Sequence, residues 1–200
     1  MIIFVLKINT KMPHIALPAH LPGVTGLLEY RKDASKPLRE LTQILLRGEN
    51  SLTEAERELI ATIVSHKNGC TYCATSHSAA ANAYLGEPNT VACMKNDINQ
   101  TPVSDKMKAL LAIAAEVQEN GKNVSAEMVE TAKKLGATDM EIHDTVMIAA
   151  LFSFYNRYVD GLATVAPTDE NYYTEMAKRL KDKGYYRPDE GYEHLKTAAL

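Results

Sequence analysis

The 200-residue chain has no tryptophan, only three phenylalanines and only three cysteines. Cysteines at 70, 73 and 93 are too few and too unevenly spaced for the disulfide framework of a small secreted domain. No surplus of one charge is present: 22 basic and 25 acidic side chains leave a net charge of −3. No basic run is longer than the pair Lys133–Lys134, so the electrostatic footprint of a nucleic-acid-binding protein is missing. The opening MIIFVLKINTK has a short apolar run, but neither a basic stretch before it nor a small-residue cleavage site after it. It reads as neither a signal peptide nor a membrane span. The expectation is a cytoplasmic protein with no membrane partner, in which a close pair of cysteines serves redox or metal chemistry. Strand-like alternation is also lacking, and no repeat at solenoid period occurs.

Helical spacing, by contrast, runs nearly throughout. In SKPLRELTQILLRG, Leu38, Leu41 and Leu45 recur on one face and Gly48 ends the segment. TEAERELIATIVSHKNG opens with the T-x-x-E capping box of Thr53 and Glu56, buries Leu59, Ile60, Ile63 and Val64, and stops at Gly69. The Ala-rich CTYCATSHSAAANAYLG follows at once and ends at Gly86, with a short helix expected over residues 90–96. Beyond Pro102, Met107, Leu110, Leu111, Ala114 and Val117 repeat the pattern, and a shorter helix lies between Ser125 and Gly136. A second T-x-x-E box at Thr138 and Glu141 starts the longest and most apolar helix, placed at the centre of the core. The last helix, residues 169–183, puts Tyr172, Tyr173, Met176 and Leu180 on one face. The fold class is all-α in one domain, residues 24–184. A Pro-punctuated N-terminal arm, 1–23, precedes it and a tail, 185–200, follows. PHIALPAHLPGV after Met12 leaves open that residues 1–11 lie upstream of the natural start.

The chemistry is concentrated in NGCTYCATSHSAA, residues 68–80. Cys70, Cys73 and His77 stand at i, i+3 and i+7, on one face of a helix, with Cys73 and His77 one turn apart. Gly69 permits a sharp turn, which puts Cys70 at a helix N-terminus, where the unpaired N–H groups and the dipole favour a thiolate. Haem attachment needs His directly after the second Cys, and Ala74 is there instead. Structural zinc wants four ligands, and the candidates for a fourth, Cys93, His66 and His143, form no recognisable pair. Two buried cysteines with a satisfied histidine is the plain structural alternative. A redox centre uses every member: a thiolate attacks a peroxide oxygen and becomes a sulfenic acid, which the second cysteine condenses to a disulfide. The base beside the thiol needs a carboxylate to orient it. Glu58, at the rim of the preceding apolar stripe near Thr62 and Ser65, is the candidate.

LTEAERELIATIVSHKNGCTYCATSHSAAA resembles the core signature of the alkyl hydroperoxidase D (AhpD)-like, carboxymuconolactone decarboxylase superfamily, particularly its peroxidase-related branch. LPGVTGLLEYRKDASKPLRELTQILLRG is similar to that branch's lead-in helix, and FSFYNRYVDGLAT to its late helix, so the resemblance spans about residues 12–180. It implies an AhpD-like helical fold that assembles as a homotrimer or homohexamer and reduces peroxide through its CxxC. By motif position Glu58, Cys70, Cys73 and His77 match the superfamily's proton-relay and thiol residues. Tyr72 stands where AhpD itself has a histidine, tyrosine being usual in the wider branch. The decarboxylases of the superfamily lack the CxxC.

The resulting expectation is a thiol peroxidase using Cys70, Cys73, His77 and Glu58, with a peroxide as substrate and a lipoamide- or thioredoxin-like dithiol as reductant. No metal, haem, flavin or other cofactor is implied. Cys73, one turn from His77, is the attacking thiol; Cys70, at an exposed helix start, resolves it and meets the reductant. The rival is a non-enzymatic redox sensor or helical binding protein whose disulfide alters a surface. Asn156, Arg157 and Asp160 are read as a structural polar cluster, His143 as an ordinary histidine and Cys93 as a packing or surface thiol. Tyr172, Tyr173, Tyr185 and Tyr186 serve either a subunit contact or core and tail packing.

Overall fold

The computed structural model describes residues 12–193 and 195–198; the reading of residues 1–11 as upstream sequence lies outside them. Among the described residues the chain is all-α, with no strand. Its helices are α1 (Gly23–Tyr30), α2 (Lys32–Arg47), α3 (Glu54–Lys67), α4 (Thr71–Leu85), α5 (Asn89–Asn96), α6 (Asp105–Asn120), α7 (Ala126–Lys134), α8 (Asp139–Gly161), α9 (Glu170–Lys183) and the short α10 (Leu195–Ala198).

Helix starts follow the local chemistry. Both capping boxes form: the Thr53 and Thr138 hydroxyls accept from the backbone N–H of Glu56 and Glu141, whose carboxylates accept from the threonine N–H groups. The lead-in segment differs from a single helix. It breaks at Arg31, whose non-helical backbone (φ −126, ψ 77) ends α1, and α2 then begins at Lys32, ahead of Ser35, and runs through Pro37. Pro37 has no N–H and omits one rung of the ladder. The new start is supported by Asp33 in the first turn and by the Ser35 hydroxyl, which donates to the Arg31 carbonyl at 2.7 Å.

α3 is the hub. Every residue from Arg57 to Ser65 is buried, and the helix packs against α4, α5, α6 and α8. Leu59, Ile60, Ile63 and Val64 meet Leu110, Leu111 and Ile113 of α6 and Ile148 and Phe152 of α8 in the main core. α9 lies along the outer side of α4. A second, smaller cluster joins Cys70, Tyr72 and Cys73 to Leu27, Val159 and Tyr173, so both thiols sit between α4, α1, α8 and α9. Residues 185–193 run back over α1, α2 and α3: the Tyr185 N–H donates to Gln43, Arg187 binds Glu29, and Tyr192 accepts from Arg39.

Candidate functional site

The α3–α4 turn places the two cysteines. Gly69 has φ +70, the left-handed conformation that lets α4 start three residues after α3's C-cap, Asn68. Cys70 takes the N-cap position of α4, and its N–H donates back to the Ser65 carbonyl at 3.1 Å. The turn is held from behind by amides. Asn68 donates to Asn156 Oδ1 at 2.8 Å, Asn156 donates to Ser65 Oγ at 3.1 Å, and Gln118 donates to Asn68 at 2.8 Å. Asn156 is thus the structural anchor of the thiol turn, while Arg157 is exposed and bonds its own helix's Ser153 carbonyl.

Burial overturns one part of the sequence reading. Cys70 is not at an exposed helix start; it is wholly buried, with Cys73 only 3% exposed. The Cys70 thiol is pushed up, first because it hydrogen-bonds to Cys73 and then because burial disfavours its charge. These two effects outweigh the helix N-terminus, and Cys70 stays a thiol at neutral pH. Cys73 instead lines a cavity of about 80 Å³ together with Ser76 and His77 of its own helix. The two sulfurs are not joined in a disulfide.

Glu58 is not at a rim either. It is completely buried and its carboxylate accepts from three groups: His77 Nδ1 at 2.7 Å, Arg47 Nη2 at 2.5 Å and the Tyr185 hydroxyl at 2.6 Å. Burial works against its ionisation, but His77, Arg47 and Tyr185 outweigh that and hold the carboxyl below its ordinary range. An ionised carboxylate only accepts, so Nδ1 of His77 is the donor to Glu58 and Nε2 is the ring nitrogen left for another partner. The ring is wedged edge-on against Phe152, centroids 4.4 Å apart, and stacks on Tyr185. Burial and the Glu58 charge raise the Tyr185 phenol well above its ordinary value, so it remains a donor.

Arg47 and Tyr185 were not singled out as site residues in the sequence. Arg47 is the last residue of α2, sandwiched between the rings of Tyr84 at 4.8 Å and Tyr185 at 4.9 Å. Its pairing with a glutamate eleven residues on, across the Gly48 bend, has no periodic signature. Tyr72 is buried, its hydroxyl 3.2 Å from that of Tyr172 and 3.4 Å from that of Thr25. Burial pushes its phenol well up, so it does not supply a titrating group near neutrality. His143 is exposed beside Asp144, and Cys93 donates to the Gln100 carbonyl. Neither joins the cluster, and among the described residues no three His, Cys, Asp or Glu side chains are gathered as metal ligands.

Residues 33–92 match the model of the carboxymuconolactone decarboxylase family, a span that carries the whole α3–α4 unit. Among curated proteins none matches the chain. Two solved structures share the fold at 24% identity. One is an uncharacterized peroxidase-related protein from Silicibacter sp. TM1040, with a TM-score of 0.69 over 76% of this chain and 78% of that one. The other, from Ralstonia eutropha JMP134, is described as an alkylhydroperoxidase AhpD core and peroxidase-related protein, with a TM-score of 0.70 over 78% of this chain and 81% of that one.

Proposed function

We propose that this member of the AhpD-like, carboxymuconolactone decarboxylase superfamily is a thiol peroxidase that reduces hydrogen peroxide or organic hydroperoxides through a Cys70–Cys73 disulfide. The observation that carries the reading is the buried Glu58 holding Nδ1 of His77 at 2.7 Å, with His77 one turn beyond the cavity-lining Cys73. Such a carboxylate–imidazole pair is the usual means of making a neutral histidine a base at a fixed place. Nε2 takes the Cys73 proton. The thiolate attacks the distal peroxide oxygen, the O–O bond breaks, Cys73 becomes a sulfenic acid, and the alkoxide leaves with the proton from His77 as an alcohol. Cys70, still a thiol, attacks the sulfenic sulfur, forming the disulfide and releasing water.

An external dithiol then restores both thiols and is itself oxidised to a disulfide. With Cys70 wholly buried and Cys73 reached through the cavity, a slender lipoamide-like dithiol fits better than the broad face of a thioredoxin-like protein. Decarboxylation would leave the thiol pair idle. The superfamily also supports assembly as a homotrimer or homohexamer, and Tyr30, Ile44 and Phe154, large apolar side chains left on the surface, are what such contacts would cover.

The test is repeated peroxide consumption with dihydrolipoamide as donor. Cys73→Ser should abolish it. Cys70→Ser should allow one oxidation and leave a sulfenic acid on Cys73, trapped with dimedone and located by mass spectrometry. Oxidised wild type should contain the Cys70–Cys73 link with Cys93 reduced. A single stoichiometric oxidation without turnover would favour the redox-sensor reading, and a sulfenic acid on Cys70 in Cys73→Ser would reverse the thiol roles.

A further inference from the structure

The cavity beside Cys73 contains charge that peroxide cleavage does not use. Its lining includes two arginines, Arg39 and Arg179, and no aspartate or glutamate. Arg39 is occupied: it donates to the Tyr192 hydroxyl at 2.9 Å and to Glu29 at 3.3 Å. Arg179, on α9 and half-buried, has no hydrogen-bond or ion-pair partner among the described residues; its charge is felt by the neighbouring Tyr172 phenol. A guanidinium partly withdrawn from water is costly without a counter-charge. A second group is also unsatisfied. Ser76, one turn from Cys73 and 4% exposed, faces the same cavity, and its hydroxyl has no hydrogen-bond partner. The remaining wall is largely apolar, with Val24, Leu28, Phe152 and Met176.

We propose that the cavity takes organic hydroperoxides bearing a carboxylate, the carboxylate meeting Arg179 and the peroxide oxygens meeting Ser76 beside Cys73. An apolar body with one anionic end and one hydrogen-bonding end matches what the lining leaves unsatisfied. The hydroperoxide half rests on the peroxidase reading. The carboxylate half rests on Arg179 alone and is tested without chemistry.

Calorimetric titration at constant ionic strength should find octanoate bound about tenfold or more tighter than 1-octanol, as expected for a charge-assisted hydrogen bond. Arg179→Gln should bring the two ligands within about twofold, whereas Lys178→Gln, a charge loss at the exposed neighbouring position, should keep the gap. Equal binding of octanoate and octanol by wild type, no octanoate binding at millimolar concentration, or a gap that survives in Arg179→Gln would each overturn the proposal. Turnover supplies the second arm: a hydroperoxy fatty acid should exceed its methyl ester in kcat/KM, and Ser76→Ala should lower both. An octanoate preference without peroxide turnover would leave the anion site standing and sink the peroxidase reading. Turnover with acid and ester equal would do the reverse.

Discussion

At the scale of single residues the site is a carboxylate saturated with donors. Glu58 and His77 act on Cys73 as one unit, so removing either should cost most of the general acid–base contribution, about 10²–10⁴-fold in the second-order rate with a hydroperoxide, and removing both little more. A double-mutant cycle with Glu58→Gln and His77→Gln reads this; additive losses would mean that the two work independently. Glu58→Gln has a further effect that follows from its burial. It leaves the Arg47 guanidinium with no counter-charge, so stability should fall by about 3–5 kcal/mol in urea titrations, and rates must be compared where both proteins are folded. Tyr185→Phe removes one donor and leaves the ion pair, so it should slow turnover with a smaller stability loss. The motif made the trio of Cys70, Cys73 and His77 legible, and Glu58 came with the superfamily resemblance. Periodicity alone put Glu58 at a rim because it cannot register a buried charge whose partners lie elsewhere in the chain. Arg47 and Tyr185 left no local trace for the same reason. Cys70 was misjudged because a helix N-terminus is visible in sequence, while a neighbouring thiol's hydrogen bond and desolvation are not.

At the scale of elements, the caps and apolar stripes were readable because each is a local pattern: the Thr53 and Thr138 boxes form as spaced, and the α3 stripe is the centre of the core. The break between α1 and α2 was not, since Arg31 carries no local helix-breaking signal, and neither was the close fit at Gly23. That residue has φ +57, and a Cβ on it would lie only 2.3 Å from three atoms of the Tyr72 ring. Gly23→Ala should therefore both strain the start of α1 and displace Tyr72 from beside Cys73, lowering the thermal midpoint and altering the alkylation rate of Cys73. An unchanged midpoint would mean that Tyr72 moves freely. The α3–α4 turn makes a comparable prediction. Asn156→Ala deprives Ser65 and Asn68 of buried partners and should cost about 1–3 kcal/mol in urea unfolding. A variant as stable as wild type would show that these amides do not support the turn.

At the scale of the whole molecule, three buried or half-buried carboxylates fasten elements that are distant in sequence. Glu29 binds Arg39 of α2 and Arg187 of the C-terminal segment, Glu58 gathers α2, α4 and Tyr185, and Glu141 ties α8 to Lys106 of α6 and to Ser51. In each, burial opposes ionisation and the cationic and hydrogen-bonding partners prevail, so all three are held below the ordinary value of 4.5. Depressed folded values mean that the unfolded chain binds protons first. The stabilisation is therefore complete above about pH 4.5 and is lost as pH falls through the lowered folded values. Thermal midpoints should be level from pH 7 to 5 and drop below about 4.5, and Lys106→Met should weaken that acid dependence. A midpoint unchanged down to pH 3 would show these pairs to be energetically idle.

The C-terminal origin of Tyr185 also sets an order in time. The phenol that closes the Glu58 network lies 108 residues after His77. At roughly 5–20 residues per second, a ribosome takes about 5–20 s to travel between them. For that interval a nascent chain already holds both thiols, the histidine and the glutamate, but not the segment that seals the carboxylate from water. The newborn cysteines thus meet the cell before the segment around Tyr185 has completed the surroundings of Glu58 and His77.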